Sequence, residues 1–149
     1  MAHVVVERTI AAPPERVFAV ASDIHRWAQI VPAIERVEVL TPGPMAVGTR
    51  FRETRRMMGR EATEEMTVTS FDPPRGYTLG AQSHGCRYRT ELRFEPAGAG
   101  TRMVFDFGAE PLTFAAKAMM LLMKPMMKKA AQMCAKDLDA IAAHAERGA

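Results

Sequence analysis

Glu53, Arg55 and Glu64 are charged residues that alternate with apolar ones in two neighbouring stretches, GTRFRETRRMM and EATEEMTVTSF. The alternation predicts an antiparallel hairpin with one buried face. Gly59-Arg60 lies between the stretches and predicts a two-residue type II′ turn. In that register Arg55 faces Glu64 on the buried face, where charges are tolerated only when they are paired.

This charged group has two interpretations. It can form the polar end of a pocket and orient the head group of a ligand. Alternatively, the sheet curls open near the hairpin tip, and the three side chains are solvated there. In the first case Arg55 and Glu64 are candidate catalytic residues, because both can take part in proton handling.

Tyr77 and Tyr88 fall on the same predicted inner face. A tyrosine hydroxyl in an apolar space can orient a carbonyl group or act as a weak acid, so both are also candidate catalytic residues. The alternative is a core position in which the hydroxyl bonds to the backbone.

No motif for a metal or a cofactor is present. The histidines at 3, 25, 84 and 144 show no ligand spacing, and no Cys/His cluster occurs, so no metal site is predicted. GxSxG, GxGxxG and GxxxxGK are absent as well, and we expect no cofactor. The net charge of +3 is spread along the chain without a basic run, which argues against nucleic acid as a partner.

The compartment is predicted to be the cytoplasm. The two cysteines, Cys86 and Cys134, are too few for a framework of disulfide bonds, which fits a reducing environment. The first ten residues, MAHVVVERTI, contain charges where a signal peptide would be apolar. The apolar run 112–127 is interrupted by Lys117 and Lys124, too early for a membrane span.

The surrounding pattern predicts the elements that position these residues. HVVVERTI is a first strand, and two short helices follow, the first beginning at Pro14. A run of strands with alternating apolar and polar residues follows from residue 34 onwards. On its inner face we expect Met103, Phe105 and Phe107 to lie opposite Phe94, Leu92 and Thr90, respectively. A helix over 111–146 closes the chain, and Pro125 should kink it near residues 121–122.

The stretch MMLLMKPMM lies in that last helix. Met119, Met123 and Met126 of this stretch belong to an apolar stripe that continues through Met133. They can be plain core residues or, because methionine adapts to irregular shapes, the wall of a ligand cavity. The lysines on the opposite flank are either a solvated face or a site of weak contact with an anionic membrane.

The whole chain resembles the START-like or Bet v 1-like (SRPBCC) superfamily, in its polyketide cyclase/dehydrase and lipid-transport branch. The motifs that carry the resemblance are APPE after the first strand, Val17-Phe18, Asp23, Trp27, VGTRF, FDPPRGY and GAGTRMVF. It implies an α+β helix-grip fold, in which a seven-stranded antiparallel sheet wraps around a long C-terminal helix. The resemblance also implies two short helices between strands 1 and 2, and a single ligand-binding domain over residues 1–149.

Members of this superfamily hold apolar molecules between sheet and helix, so we expect a hydrophobic small-molecule ligand such as a lipid, polyketide or isoprenoid-like compound. A polyketide aromatase/cyclase or dehydratase acting in the same cavity is the alternative, and an interaction module is a third interpretation. The oligomeric state is left open. The predicted ligand-binding residues are Trp27, Phe51, Glu53, Met66, Leu79, Tyr88, Thr90, Leu92, Phe105, Phe107, Met119, Met123 and Met126.

Overall fold

The structure, a computed structural model, describes residues 2–57 and 59–147. Seven strands and four α-helices follow one another along the chain, with two 3-10 turns beside the helices. In chain order the elements are β1 (Ala2–Ile10), α1 (Pro14–Ala21), a 3-10 turn (Ile24–Arg26), α2 (Trp27–Ile30), β2 (Ile34–Val39), β3 (Arg50–Met57), β4 (Arg60–Asp72), β5 (Gly76–Ser83), β6 (Cys86–Ala97), β7 (Gly100–Pro111), α3 (Phe114–Met123), a 3-10 turn (Lys124–Met126) and α4 (Met127–Arg147).

The strands form one antiparallel sheet in the order β1-β7-β6-β5-β4-β3-β2. From β2 to β7 each strand pairs with its neighbour in the chain, and β1 joins the sheet beside β7. The predicted meander is therefore confirmed. The β6–β7 register is also confirmed, since Phe94, Leu92 and Thr90 lie opposite Met103, Phe105 and Phe107.

The β3–β4 hairpin differs from the prediction by two residues. Arg55 lies opposite Ala62 rather than Glu64, and Glu64 lies opposite Glu53. The reason is the turn: β3 ends at Met57 and β4 begins at Arg60, so that Gly59, with φ of +79°, directly precedes β4 instead of forming the loop together with Arg60. Because the displacement is an even number of residues, every side chain keeps its predicted face.

The core joins α1 to the sheet. Phe18 of α1 meets three aromatic side chains of the strands: Phe71, Tyr77 and Phe94. Their centroids lie 5.4 to 6.0 Å from that of Phe18, in the tilted and edge-on arrangements that aromatic pairs prefer. α4 packs on β1 and α1 through buried residues of its second half, namely Leu138, Ala142 and Ala145. Pro14 begins α1, as predicted.

The C-terminal helical segment of 34 residues is interrupted at Pro125. It begins at Phe114 rather than at 111, because β7 extends to Pro111 and the hydroxyl of Thr113 accepts a hydrogen bond from the backbone N–H of Ala116 at 3.1 Å. The break lies at 124–126, slightly beyond the predicted kink, since proline has no N–H to continue the α-helical ladder. Within the described residues, no helix combines the length and apolarity that crossing a membrane requires.

Candidate functional site

A cavity of about 420 Å³ lies between the sheet and α4. Most of its wall is apolar, and all seven strands contribute to it: β3 to β7 mainly through their alternating inner faces, β1 through Val4 and β2 through Ile34. The lining residues are Val4, Ala21, Trp27, Val31, Ile34, Glu53, Arg55, Met57, Ala62, Glu64, Met66, Tyr77, Leu79, Gly80, Ala81, Tyr88, Thr90, Leu92, Phe105, Phe107, Ala130, Met133, Cys134, Asp137, Leu138 and Ile141.

Arg55 forms the centre of a polar cluster in this wall. Its Nη1 donates to Oδ2 of Asp137 at 2.9 Å, and its Nε lies 3.4 Å from Oε2 of Glu53. The three side chains are 19%, 14% and 13% exposed, respectively, so the group is largely shielded from water. Two carboxyls from different elements, β3 and α4, therefore share one guanidinium.

Burial controls the protonation of this cluster. It raises the pKa of the Glu53 and Asp137 carboxyls, and the nearby charge of Arg55 only partly offsets that effect. For Arg55 itself, burial would lower the pKa, but the two carboxylates outweigh it and raise the pKa above its ordinary value. The guanidinium is thus firmly charged, while each carboxyl holds a proton more readily than it would in water.

Asp137 was not among the residues predicted from the sequence. The signal that could have found it is helical spacing: Met133, Asp137 and Ile141 are four residues apart, and all three line the cavity. An aspartate in the middle of an apolar stripe has to find a partner on the element opposite. Here the partner is Arg55, which the sequence had paired with Glu64.

A second polar group lies on β4, β5 and β6. The Ser83 hydroxyl donates to Oε1 of Glu64 at 2.6 Å. The ring of Tyr88 stacks on Phe107 with centroids 5.8 Å apart. Burial, followed by the neighbouring Cys86, raises the pKa of the Tyr88 hydroxyl, and a hydrogen bond with Ser83 acts in the opposite direction. Tyr88 is therefore a neutral side chain in the cavity wall.

Tyr77 lines the cavity with its ring, but its hydroxyl is occupied. It donates to the backbone carbonyl of Ala21 at 2.6 Å, and Nε1 of Trp27 donates to the same oxygen at 3.0 Å. Burial is the main cause that raises the pKa of Tyr77, with the charge of Glu53 adding to it. Of the two interpretations of this residue, the geometry favours the core position over the weak acid.

Cys134 also lines the cavity, beside the Arg55 cluster. Burial, together with the charge of Asp137, raises the pKa of its thiol to about 11. At neutral pH the thiol is protonated, and a protonated thiol is a weak nucleophile. The side chain contributes apolar surface.

Nine of the predicted ligand-binding residues lie along the cavity, and so do all four candidate catalytic residues. The nine are Trp27, Glu53, Met66, Leu79, Tyr88, Thr90, Leu92, Phe105 and Phe107. Their role in binding stays a prediction.

Four predicted residues lie elsewhere. Phe51 is fully buried behind Trp27, with ring centroids 5.2 Å apart, and belongs to the core. Met119 and Met123 are 58% and 46% exposed, and Met126 is in the 3-10 turn. The helix that lines the cavity is α4, from Ala130 onwards, because the break at Pro125 separates α3 from the sheet-covering part. The methionine of the stripe that does line the cavity is Met133.

Across residues 2–57 and 59–147, no group of three or more His, Cys, Asp or Glu side chains is arranged to hold a metal ion. The polar cluster contains a guanidinium in its centre, which would repel a cation. The residues present suit hydrogen bonding to an organic molecule.

Comparison with known proteins identifies a family that spans nearly the whole chain. Residues 1–146 match the family model described as polyketide cyclase / dehydrase and lipid transport. No curated protein is detectably similar to the chain in sequence.

Several solved structures share the fold. The chain is similar to TTHA0849 from Thermus thermophilus, with a TM-score of 0.79, 21% identity and 99% of each chain covered. It is also similar to ginseng major latex-like protein 151 from Panax ginseng, with a TM-score of 0.78 and 12% identity over 96% of each chain. A third similar structure is the Zhui aromatase/cyclase from Streptomyces sp. R1128, with a TM-score of 0.72 and 24% identity over 98% of this chain and 94% of that one.

Proposed function

We propose that this chain, which belongs to the polyketide cyclase/dehydrase and lipid transport family, binds a hydrophobic small molecule in the cavity between its sheet and α4. The observation that carries the proposal is the wall of that cavity, which is apolar except for the Arg55 cluster and the group around Glu64. The candidates are a lipid, a polyketide or an isoprenoid-like compound, and residues 1–149 act as one ligand-binding domain.

The size of the cavity supports a small-molecule ligand. A volume of about 420 Å³ falls within the range of roughly 300 to 1,000 Å³ that is usual for such sites. Burial of the apolar body would supply the affinity, at about 25 cal/mol for each Å² of apolar surface removed from water. A packed protein interior leaves few voids larger than a water molecule, which argues against a plain core here.

The charge of the cavity wall limits which chemical types of ligand head group can bind there. Three carboxyl groups and one guanidinium line the cavity: Glu53, Glu64 and Asp137 against Arg55. An anionic head group would add negative charge to a site that already has an excess of it. We therefore favour a head group that donates hydrogen bonds, such as a hydroxyl or an amine, over a carboxylate or a phosphate.

Native mass spectrometry of protein freshly purified from its own host tests the proposal first. We expect a discrete apolar adduct, which solvent extraction would release for identification. A bare mass that persists after incubation with lipid and polyketide-like panels would contradict ligand binding and favour a solid core or an interaction role.

A matched series of head groups tests the polarity of the site. Dodecanol, dodecylamine and dodecanoate share one alkyl chain, so differences in their binding at pH 7 report on the polar end of the cavity. We expect the alcohol and the amine to displace a fluorescent apolar probe at lower concentrations than the acid. Tighter binding of dodecanoate would overturn the assignment of the head group while leaving the apolar site intact.

A polyketide aromatase/cyclase or dehydratase acting in the same cavity is the second candidate function. The observation that favours it is the position of two carboxyls with raised pKa values beside the Arg55 guanidinium. Such a carboxylate can take a proton from the acidic carbon between two carbonyls, and the guanidinium can stabilise the oxyanion that develops. Holding a flexible chain folded would contribute to the rate of cyclisation.

Turnover separates the two functions. Incubation with a poly-β-ketone thioester mimic, followed by liquid chromatography and mass spectrometry, should reveal loss of water or a cyclised isomer of changed retention if the chain is an enzyme. Arg55→Met should then abolish the product, whereas Arg52→Met, on the opposite face of the same strand, should not. Binding of the mimic without any conversion would favour a carrier.

A further inference from the structure

α3 exposes large apolar side chains to solvent. Phe114 is 89% exposed, Leu121 73% and Leu122 76%, and these three residues define the α3 face. Met119 and Met123 of the same helix are exposed as well. Single exposed apolar side chains are ordinary, but several on one short helix indicate a surface that contacts something else.

Lysines accompany this face. All five lysines of the chain lie in α3, the 3-10 turn and α4: Lys117, Lys124, Lys128, Lys129 and Lys136. Each is exposed, and none takes part in an ion pair among the residues that the structure describes. No aspartate or glutamate occurs between Glu110 and Asp137. The segment is therefore apolar and cationic, without compensating acids of its own.

The charge decides which occupant fits the face. A second copy seated on it by two-fold symmetry would bring two sets of unpaired lysines together. An anionic bilayer instead supplies negative head groups for the lysines and hydrocarbon for the apolar side chains. Lys117 and Lys124 are seven residues apart, as are Phe114 and Leu121, so the two kinds of side chain run along the helix side by side.

The position of α3 relates this face to the cavity. The backbone N–H of Leu112, just before α3, donates to the carbonyl of Gly85 in the β5–β6 turn at 2.7 Å. In the third residue pair from that turn Ala81 lies opposite Tyr88, and both residues line the cavity. α3 thus begins at the end of the sheet that bounds the Tyr88 end of the cavity.

We propose that the α3 face docks on an anionic lipid bilayer. Phe114, Leu121 and Leu122 enter the boundary between head groups and acyl chains, and Lys117 and Lys124 contact the anionic head groups. The Tyr88 end of the cavity then lies next to the membrane surface. This surface is separate from the cavity, and its test uses no cavity ligand, so its failure would leave the proposed ligand binding unaffected.

Co-sedimentation of the full chain with vesicles tests the docking. The probes are vesicles of phosphatidylcholine alone and vesicles with about one third phosphatidylglycerol. We expect binding to the anionic vesicles only, weakened when NaCl is raised from about 0.05 to 0.5 M. Leu121→Ser/Leu122→Ser should abolish it, and Lys117→Gln/Lys124→Gln should weaken it about 25-fold, since each lysine near an anionic surface contributes about fivefold.

Val5→Ser/Val47→Ser is the matched control, because it removes two exposed apolar side chains outside α3 and should bind like the wild type. Circular dichroism should show that all variants are folded, as the changed side chains are exposed. Equal binding to neutral vesicles, or full binding by Leu121→Ser/Leu122→Ser, would overturn the proposal. The proposal would also be overturned if the chain did not bind vesicles but self-associated in a concentration-dependent way. If Leu121→Ser/Leu122→Ser abolished that self-association, the α3 face would be assigned to contact with a second copy.

Discussion

Arg55 offsets part of the negative charge inside the cavity. Among the lining residues that the structure describes it is the one cation, and its hydrogen bond to Asp137 joins the sheet to α4. Removing a shared partner of two shielded carboxylates is costly, because it leaves their charges uncompensated. The same residue would orient a ligand, so stability and binding depend on one side chain.

Arg55→Met should therefore lower the free energy of unfolding by about 3 kcal/mol at pH 7. The pKa values of Glu53 and Asp137 are already raised, so the folded state holds their protons more tightly than the unfolded state does. Their contribution to stability falls as the pH rises above about 4, and recovers on acidification. The free energy of unfolding that Arg55→Met loses should accordingly be smaller at pH 5 than at pH 7. Urea denaturation at both pH values measures it.

Arg52→Met serves as the control for that experiment. Arg52 lies on the same strand but on the wet face, where its ion pairs with Glu38 and Glu65 are exposed. Such pairs contribute about 0 to 1 kcal/mol, so little change is expected. A similar loss in both variants, or a loss in Arg55→Met that does not depend on pH, would contradict the buried cluster.

Substitutions of Tyr77 and Tyr88 should have different effects, the first on stability and the second on ligand binding. Tyr77→Phe removes one of two hydrogen bonds on the Ala21 carbonyl and should cost about 1 kcal/mol of stability with unchanged ligand binding. Tyr88→Phe removes the hydroxyl of a residue that lines the cavity, and it should weaken binding of dodecanol more than it lowers stability. Unfolding curves and probe displacement measure the two effects, and the opposite pattern would reverse the roles.

At the scale of elements, the break at Pro125 divides the C-terminal helical segment into two parts with different surroundings. α4 covers the sheet and lines the cavity through residues such as Ala130 and Met133. α3 packs mainly against the end of β7 and leaves most of its side chains exposed. One methionine-rich sequence therefore contributes to a cavity wall on one side of the proline and to an outer surface on the other.

The same substitution on the two sides of Pro125 should have different results. Met133→Phe adds volume within the cavity and should weaken dodecanol binding about tenfold or more, because a wall of native packing density accommodates added atoms poorly. Met119→Phe changes an exposed position and should leave dodecanol binding unchanged. Probe displacement by dodecanol measures both, and loss of binding in Met119→Phe alone would restore the cavity role of α3.

At the scale of the molecule, the sheet and α4 leave a space between them that the chain itself does not fill. A ligand that binds the folded state and not the unfolded chain shifts the unfolding equilibrium by mass action. Ligand binding and thermal stability should therefore report on the same cavity, independently of any label or probe.

Dodecanol at about 100 times its Kd should stabilise the protein by about 2.7 kcal/mol. For a chain of this length that corresponds to a rise in Tm of about 5 to 10 °C. Scanning calorimetry of the wild type and of Met133→Phe checks the expectation, since the variant should show a smaller shift at the same concentration. An equal shift in both proteins would indicate that the stabilisation comes from another site.

The sequence by itself determined the meander, the register of β6 and β7, and the inner faces of β3 to β7. These follow from side-chain alternation and turn residues, which are local properties of the chain. The predicted β3–β4 register was wrong by two residues, because the glycine in the turn can occupy more than one position in the loop. The inner face was still predicted correctly, since a shift by an even number of residues leaves each side chain on the same face.

Only the tertiary structure decided which residues meet across the cavity. Arg55 pairs with Asp137, 82 positions away, because the angle and height of α4 over the sheet bring the two together. The exposure of Met119 and the burial of Phe51 likewise depend on how α3 and α2 pack. The periodicity of the sequence indicates which side of an element is apolar. What that side contacts depends on how the elements pack, and this is decided by residues far apart in the chain.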